Sequence, residues 1–266
     1  MSALIFLGGS CTYTEKLREH TGKSKYVIAV DRGYEHCLKM GIRADYLLGD
    51  MDSISERALE KAKTDPKLNI IKYQPKKNFT DSELAIEKAL ELGCKEIIFA
   101  GAFGSRLDHM LANQMTVATL ALKGIRCCLT DGINFMYTVT KETSPFIIKN
   151  QDEKRNIRVY NGPLKLVDEG VGEEEKKVPG HDDKKEYISL ISLIEDIERV
   201  DISGLSYPAR NLPLPLGSQR AVSNQRGPVE ETEDRPVSFL DDKIDLDVLM
   251  KRDYPSLFEI WVKTNL

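Results

Sequence analysis

Thr80-Asp81-Ser82-Glu83-Leu84-Ala85-Ile86-Glu87-Lys88-Ala89-Leu90-Glu91-Leu92-Gly93-Cys94-Lys95-Glu96-Ile97-Ile98-Phe99-Ala100-Gly101 holds a complete helix, a turn and a strand. Thr80-x-x-Glu83 is a capping box, and Gly93 stands where a helix ends in a left-handed residue. The next apolar run, 97–100, is too short for a helix and stops at a glycine. Beyond it Ser105-x-x-Asp108 opens a second helical stretch, through Met110, Leu111, Met115, Ala118 and Leu122 to Gly124. The same kind of short apolar run recurs at 4–7, 26–30, 46–48, 70–73 and 127–129. Strands alternating with helices predict a parallel, Rossmann-like α/β sheet with helices on both faces.

After about Asn134 the pattern changes. Strand-like pieces at 135–140, 146–149, 157–160, 187–193, 199–202, 221–223 and 258–263 follow one another without long helices. Turn residues such as Asn161-Gly162-Pro163 and Ser203-Gly204 separate them, a pattern that predicts a small antiparallel β-sandwich. Two stretches rich in charge and proline, 168–186 and 226–242, interrupt it and read as long hairpin loops or insertions. The expected organisation is an α/β domain over 1–138 and a β-sandwich domain over 139–266.

Composition sets the outer limits. The 266 residues carry 38 Lys+Arg against 42 Asp+Glu, a net charge of -4, without a sustained basic block, which argues against general nucleic-acid binding. No apolar run approaches the length of a membrane span, and Met1 to Gly9 lacks the basic lead of a signal peptide. Five cysteines without a C-x-x-C pair argue against a disulfide framework and a structural zinc site, and the four histidines are scattered. The expectation is a soluble cytoplasmic protein.

Carboxylates recur where the expected strands end: Asp31 after 26–30, Asp50 and Asp52 after 46–48, Asp81 and Asp108 at helix starts. In an open α/β sheet these ends share one edge, where ligands bind. Asp50 and Asp52 are two apart, so in an extended segment they project to the same side. They form either a polar turn with a helix cap or a pair of hard oxygen ligands suited to Mg²⁺. The turn Gly101-Ala102-Phe103-Gly104-Ser105-Arg106 can offer backbone N–H groups to phosphate. Arg106 can add a forked contact to phosphate or pair with Asp108; Lys76 and Lys77 can meet the same phosphates or remain solvated. Together these residues point to an Mg-nucleotide enzyme or binder and leave the acceptor open.

Gly49-Asp50-Met51-Asp52-Ser53 resembles the G-D-x-D-S segment of thiamine pyrophosphokinases. Lys77-Asn78-Phe79-Thr80-Asp81-Ser82-Glu83-Leu84-Ala85 resembles that family's K-D-x-T-D-x-E-x-A stretch, and the run from Gly101 to Asp108-His109 its G-x-x-G-G-R-x-D-H turn. Asp31-Arg32-Gly33 stands at its acidic-glycine turn. In the second half, the run 187–193 is similar to its Y-x-S-L-x-P-L strand, Gly204 to Pro208 to its G-L-K segment, and Gly217 to Asn224 to its G-x-x-x-S-N stretch. Asn78, Ser105, Ser192 and Gln225 depart from the family pattern, and none of them is an expected metal ligand.

The resemblance implies Mg²⁺-dependent transfer of the β,γ-pyrophosphoryl unit of ATP to the hydroxyethyl group of thiamine, giving thiamine diphosphate and AMP, in a homodimer with shared active sites. It implies Asp50, Asp52 and Asp81 as metal ligands, with Asp108 completing the catalytic carboxylates. Asp31, Gly33, Lys77, Thr80, Gly104 and Arg106 would meet ATP. Tyr207 would stack on thiamine, with Ser223 and Asn224 near its aminopyrimidine. The alternatives are a pyrophosphokinase acting on a pterin-type hydroxymethyl heterocycle and a non-enzymatic Mg-nucleotide sensor.

Overall fold

The computed structural model describes residues 1–73, 80–104, 106–140, 146–148, 157–161, 187–203, 205, 207, 209–219, 221–222, 224–225 and 257–263. The chain divides into two compact units, Met1–Thr138 with Ile260–Thr264, and Val139–Glu259.

In the first unit strands and helices alternate in chain order as β1 (Ser2–Phe6), α1 (Glu15–Lys23), β2 (Tyr26–Val30), α2 (Gly33–Met40), β3 (Tyr46–Gly49), α3 (Glu56–Thr64), β4 (Asn69–Lys72), α4 (Asp81–Glu91), β5 (Glu96–Ala100), α5 (Leu107–Leu122), β6 (Arg126–Thr130) and β7 (Asn134–Thr140). The sheet order is β7-β6-β5-β1-β2-β3-β4, and all pairings are parallel except β6 with β7. Each expected strand of the first half is present.

Side chains alternate across this sheet. Ala3, Ile5, Ile28, Val30, Ile97, Phe99, Cys127 and Leu129 share one core with Ala85, Ile86 and Ala89 of α4 and Val117 and Leu120 of α5. Leu4 and Phe6, on the opposite face, are also fully buried, and α1 and α2 contact β1. Burial on both faces explains why the strands read as unbroken apolar runs. The helix starting at Asp81 has Thr80 as its cap and a complete capping box, as its sequence requires.

Three sequence expectations are corrected here. The α5 helix starts at Leu107 with Arg106 in the capping position and no side-chain cap bond, where the capping pattern had Ser105. The piece at 135–140 belongs mostly to the first unit, where β7 extends the α/β sheet as an antiparallel edge. At 221–223, Ala221 lies in a turn and Val222 in a bend; the strand there is β13 (Asn224–Gln225).

In the second unit, β8 (Phe146–Ile148), β9 (Ile157–Asn161), β11 (Ile197–Ser203) and β12 (Ala209–Leu214) form an antiparallel sheet in the order β12-β11-β9-β8. Between β9 and β11 in the chain, β10 (Tyr187–Ser192) pairs antiparallel with β13. The last strand, β14 (Leu257–Lys263), has residues in both units. Proline at 213 masked β12 in the sequence; an edge strand tolerates the missing N–H. There Asn211 takes φ +53° at an irregularity in the β11–β12 pairing, and its N–H donates to the buried Asp201 carboxylate at 2.6 Å. The charged stretches 168–186 and 226–242 lie outside the described residues. No helix among the described residues is long and apolar enough to cross a membrane.

Candidate active site

The loops that leave the carboxyl ends of β1, β2, β3 and β5 build the site. β1 sits between β2 and β5, so the chain reverses its direction of strand addition beside β1, where open α/β sheets bind ligands. The turn after β1 is joined to the turn after β5. Gly9 N–H donates to Gly101 O at 3.0 Å, and Ser10 N–H to Phe103 O at 2.7 Å. Only glycine fits at Gly9, because a Cβ would lie 2.3 Å from Gly101 O. Asn113 of α5 donates to Ala102 O at 2.9 Å and holds the second turn from below.

At the ends of β2 and β3, ligand oxygens of Asp31, Asp50 and Asp52 lie within 4.8 Å of one another. The geometry is local and strained. Asp31 and Met51 both hold positive φ, at 43° and 69°. The Asp31 carboxylate accepts the Met51 N–H at 3.0 Å, and Asp50 Oδ1 accepts the Asp52 N–H at 3.1 Å. Residues in such conformations persist where surrounding structure holds them, commonly at functional sites.

Crowding shows in the acidities. Burial, and then the charges of Asp81, Asp50 and Asp52, push Asp31 up to about 6 against the pull of the Met51 N–H. Asp52 is raised by its hydrogen bond to Asp50 and by that neighbour's charge. Carboxylates held together at such a cost suit a cation, and three hard oxygen donors within this span fit Mg²⁺. Asp81, the first residue of α4, is close enough to act on this cluster electrostatically but is not one of its three members. Asp31 joins Asp50 and Asp52 in that cluster. Sequence reasoning had put Asp31 with the nucleotide, because only the pairing of β2 beside β3 brings its carboxylate to Asp50.

The remaining expected residues are placed as follows. Gly33 begins α2 against β1, where a Cβ would stand 2.0 Å from Phe6 O. The Thr80 hydroxyl is engaged in the capping box, accepting the Glu83 N–H at 3.2 Å and donating to the Glu83 carboxylate at 2.9 Å. A Cβ on Gly104 would stand 3.6 Å from Gly9 Cα, an ordinary contact distance. Arg106 and Asp108 form a forked ion pair, with Nε donating to Oδ1 at 2.9 Å. Of the two open readings of Arg106, the described structure shows this pairing. Those hydrogen bonds hold the Asp108 carboxyl well below the usual carboxylate range. In the second unit Tyr207 is 74% exposed. Asn224 is described by its backbone, paired with Ile188. Lys77 and Ser223 lie outside the described residues.

Comparison with known proteins adds two family matches. Residues 17–129 match the model of the thiamin pyrophosphokinase catalytic domain, and residues 175–233 that of the thiamin pyrophosphokinase vitamin B1 binding domain. The thiamine pyrophosphokinase of Bacillus subtilis (strain 168) is 31% identical over 224 residues, covering 83% of this chain and 87% of the relative. The crystal structure of thiamine pyrophosphokinase from Bacillus subtilis aligns over 100% of both chains with a TM-score of 0.66 and 22% identity. That of thiamin pyrophosphokinase from Geobacillus thermodenitrificans covers 100% of this chain and 98% of its own, with a TM-score of 0.64 and 19% identity.

Proposed function

The chain belongs to the thiamine pyrophosphokinase family, and from that premise we propose that it transfers the β,γ-pyrophosphoryl unit of MgATP to the hydroxyethyl oxygen of thiamine. The bond from the β-phosphorus to the α,β-bridging oxygen breaks, a bond to the thiamine oxygen forms, the hydroxyl proton is released, and AMP leaves. The observation that carries this reading is the Asp31–Asp50–Asp52 cluster at the carboxyl edge of the α/β sheet.

Asp31, Asp50 and Asp52 would hold Mg²⁺, with Asp81 adding charge at the α4 terminus. When bound, Mg²⁺ supplies charge neutralisation and alignment for the polyphosphate. The protein's own part is positional. The joined turns after β1 and β5 supply a fixed rim, with Gly9 and Gly33 allowing close backbone approach and Gly104 in the turn after β5, and Thr80 keeps Asp81 in place by capping α4. Lys77 and Arg106 would meet phosphate charge. Asp108, paired with Arg106, would orient that guanidinium and the thiamine hydroxyl, or accept the hydroxyl proton.

Residues 1–138 act in this reading as the MgATP-binding catalytic domain. Residues 139–266 form a β-sandwich that binds thiamine through Tyr207, Ser223 and Asn224. The vitamin B1 binding match, which spans these three residues, supports it, as does the exposed Tyr207 ring, a suitable face for a cationic aromatic ligand. A homodimer with shared active sites fits the exposed Leu107, Leu111 and Met115, spaced four apart on α5. Five free cysteines, four of them buried, agree with a reducing, cytoplasmic setting.

The test is AMP release from MgATP with and without thiamine, with mass detection of the product. Thiamine-dependent AMP together with thiamine diphosphate is expected. Absence of both from folded protein that binds MgATP overturns the reading; product from a pterin alcohol would then assign the other acceptor, and no product a sensor.

A further inference from the structure

On the pyrophosphokinase reading, we infer that Arg32 is a polyphosphate-binding residue, set between the acidic cluster and the head of β1. A bound polyphosphate brings several negative charges to an edge that already holds Asp31, Asp50, Asp52 and Asp81, so cationic side chains must meet it. Arg106 is held in its fork by Asp108, which already offsets part of its charge. Among the described residues Arg32 forms no such fork, although its charge helps to lower the Glu35 pKa. Among the described residues no carboxylate lies within 4.0 Å of its guanidinium. The two acids beside it on the chain are engaged elsewhere: Asp31 accepts the Met51 N–H at 3.0 Å, and Glu35 accepts the Ser55 N–H at 3.1 Å.

Its place in the fold fits the task. Arg32 is exposed and caps α2 without a side-chain cap bond, so it adds its charge to a helix end that already favours anions. Its Cβ stands 3.4 Å from where a Cβ on Gly8 would be, which sets it beside the β1 turn. The metal-binding carboxylates lie on the β2–β3 side of Arg32, and the reversal point between β1 and β5 lies on the other. A triphosphate running from the cluster toward that crevice passes the residue. A guanidinium presents two parallel N–H donors to phosphate oxygens, which a lysine matches in charge but not in geometry.

The experiment measures binding of Mg²⁺ with α,β-methylene-ATP, and of AMP, to the full chain by calorimetry, beside steady-state kinetics. Arg32→Gln is expected to weaken the analogue by about ten-fold or more, as loss of a charge-assisted fork does, and to leave AMP nearly unchanged. Arg32→Lys should recover part of the loss. Catalytic efficiency toward ATP should fall while the thiamine KM holds. Wild-type affinity for the analogue in Arg32→Gln overturns the inference, as does an equal loss of analogue and AMP. Failure of the wild-type chain to bind the analogue overturns the pyrophosphokinase reading, and this inference with it.

Discussion

The carboxylate of Asp31 occupies the space that a side chain on Gly49 would need: a Cβ there would stand 1.8 Å from Asp31 Oδ1. Gly49 also holds φ at +140°, closed to other residues without strain. The end of β3 is therefore bare so that the acid of β2 can lean across it and bond Met51. Gly49→Ala should cost about 2 kcal/mol or more of stability through strain and displacement together. It should also lower activity by moving Asp31 from Asp50 and Asp52. Chemical denaturation and the AMP assay read the two effects, and an alanine variant with wild-type values in both would refute this account of the turn.

Removing charge from the cluster should separate activity from stability. Asp52→Asn and Asp31→Asn each relieve repulsion in the metal-free protein, so melting temperature should hold or rise. Turnover should fall on the order of a hundred-fold or more, as expected when metal and transition-state electrostatics are lost. The rise in melting temperature on adding Mg²⁺ should shrink as well. Near-normal turnover in Asp52→Asn would remove it from the metal site.

The sequence made the first unit legible because its strands are buried on both faces and its helices carry explicit caps, as at Thr80 and Gly93. It placed Asp50 and Asp52 together because they are two residues apart. It could not seat Asp31 beside them, since that contact comes from β2 lying next to β3 and from positive φ at Asp31 and Met51. The β12 strand was hidden by Pro213, whose cost vanishes at a sheet edge. The strand at 135–140 read like the sandwich pieces because an antiparallel edge looks the same in sequence wherever it attaches, although the expected bound at 138 already put most of it in the first unit. Arg106 illustrates a different limit: phosphate contact and ion pair ask for the same side chain, and only the folded structure shows the fork with Asp108.

That fork predicts a coupling. If Asp108 works by orienting Arg106, then Arg106→Gln and Asp108→Asn should each lower kcat, by about ten-fold, and the double variant should be little worse than the poorer single one. Stability should barely change, since both side chains are well exposed, at 67% and 63%. Fully multiplicative losses in kcat would show that the two act separately, with Asp108 meeting substrate on its own.

His20 should make the fold acid-sensitive. Its ring lies 5.7 Å from that of Phe135, and burial, followed by the charges of Lys16 and Lys23 against the weaker pull of Glu19, pushes its pKa down to about 4. A depressed histidine pKa means the unfolded chain binds the proton more readily than the folded one. Stability is then full above the unfolded value of about 6.5 and declines as the pH falls from there toward the folded value. Between about pH 7.5 and about pH 5 the loss from this group should be about 1–2 kcal/mol, allowing for its residual exposure. His20→Gln, which cannot take up the proton, should flatten that part of the profile. Denaturant midpoints at the two pH values read the difference, and equal losses in both proteins would place the acid sensitivity elsewhere.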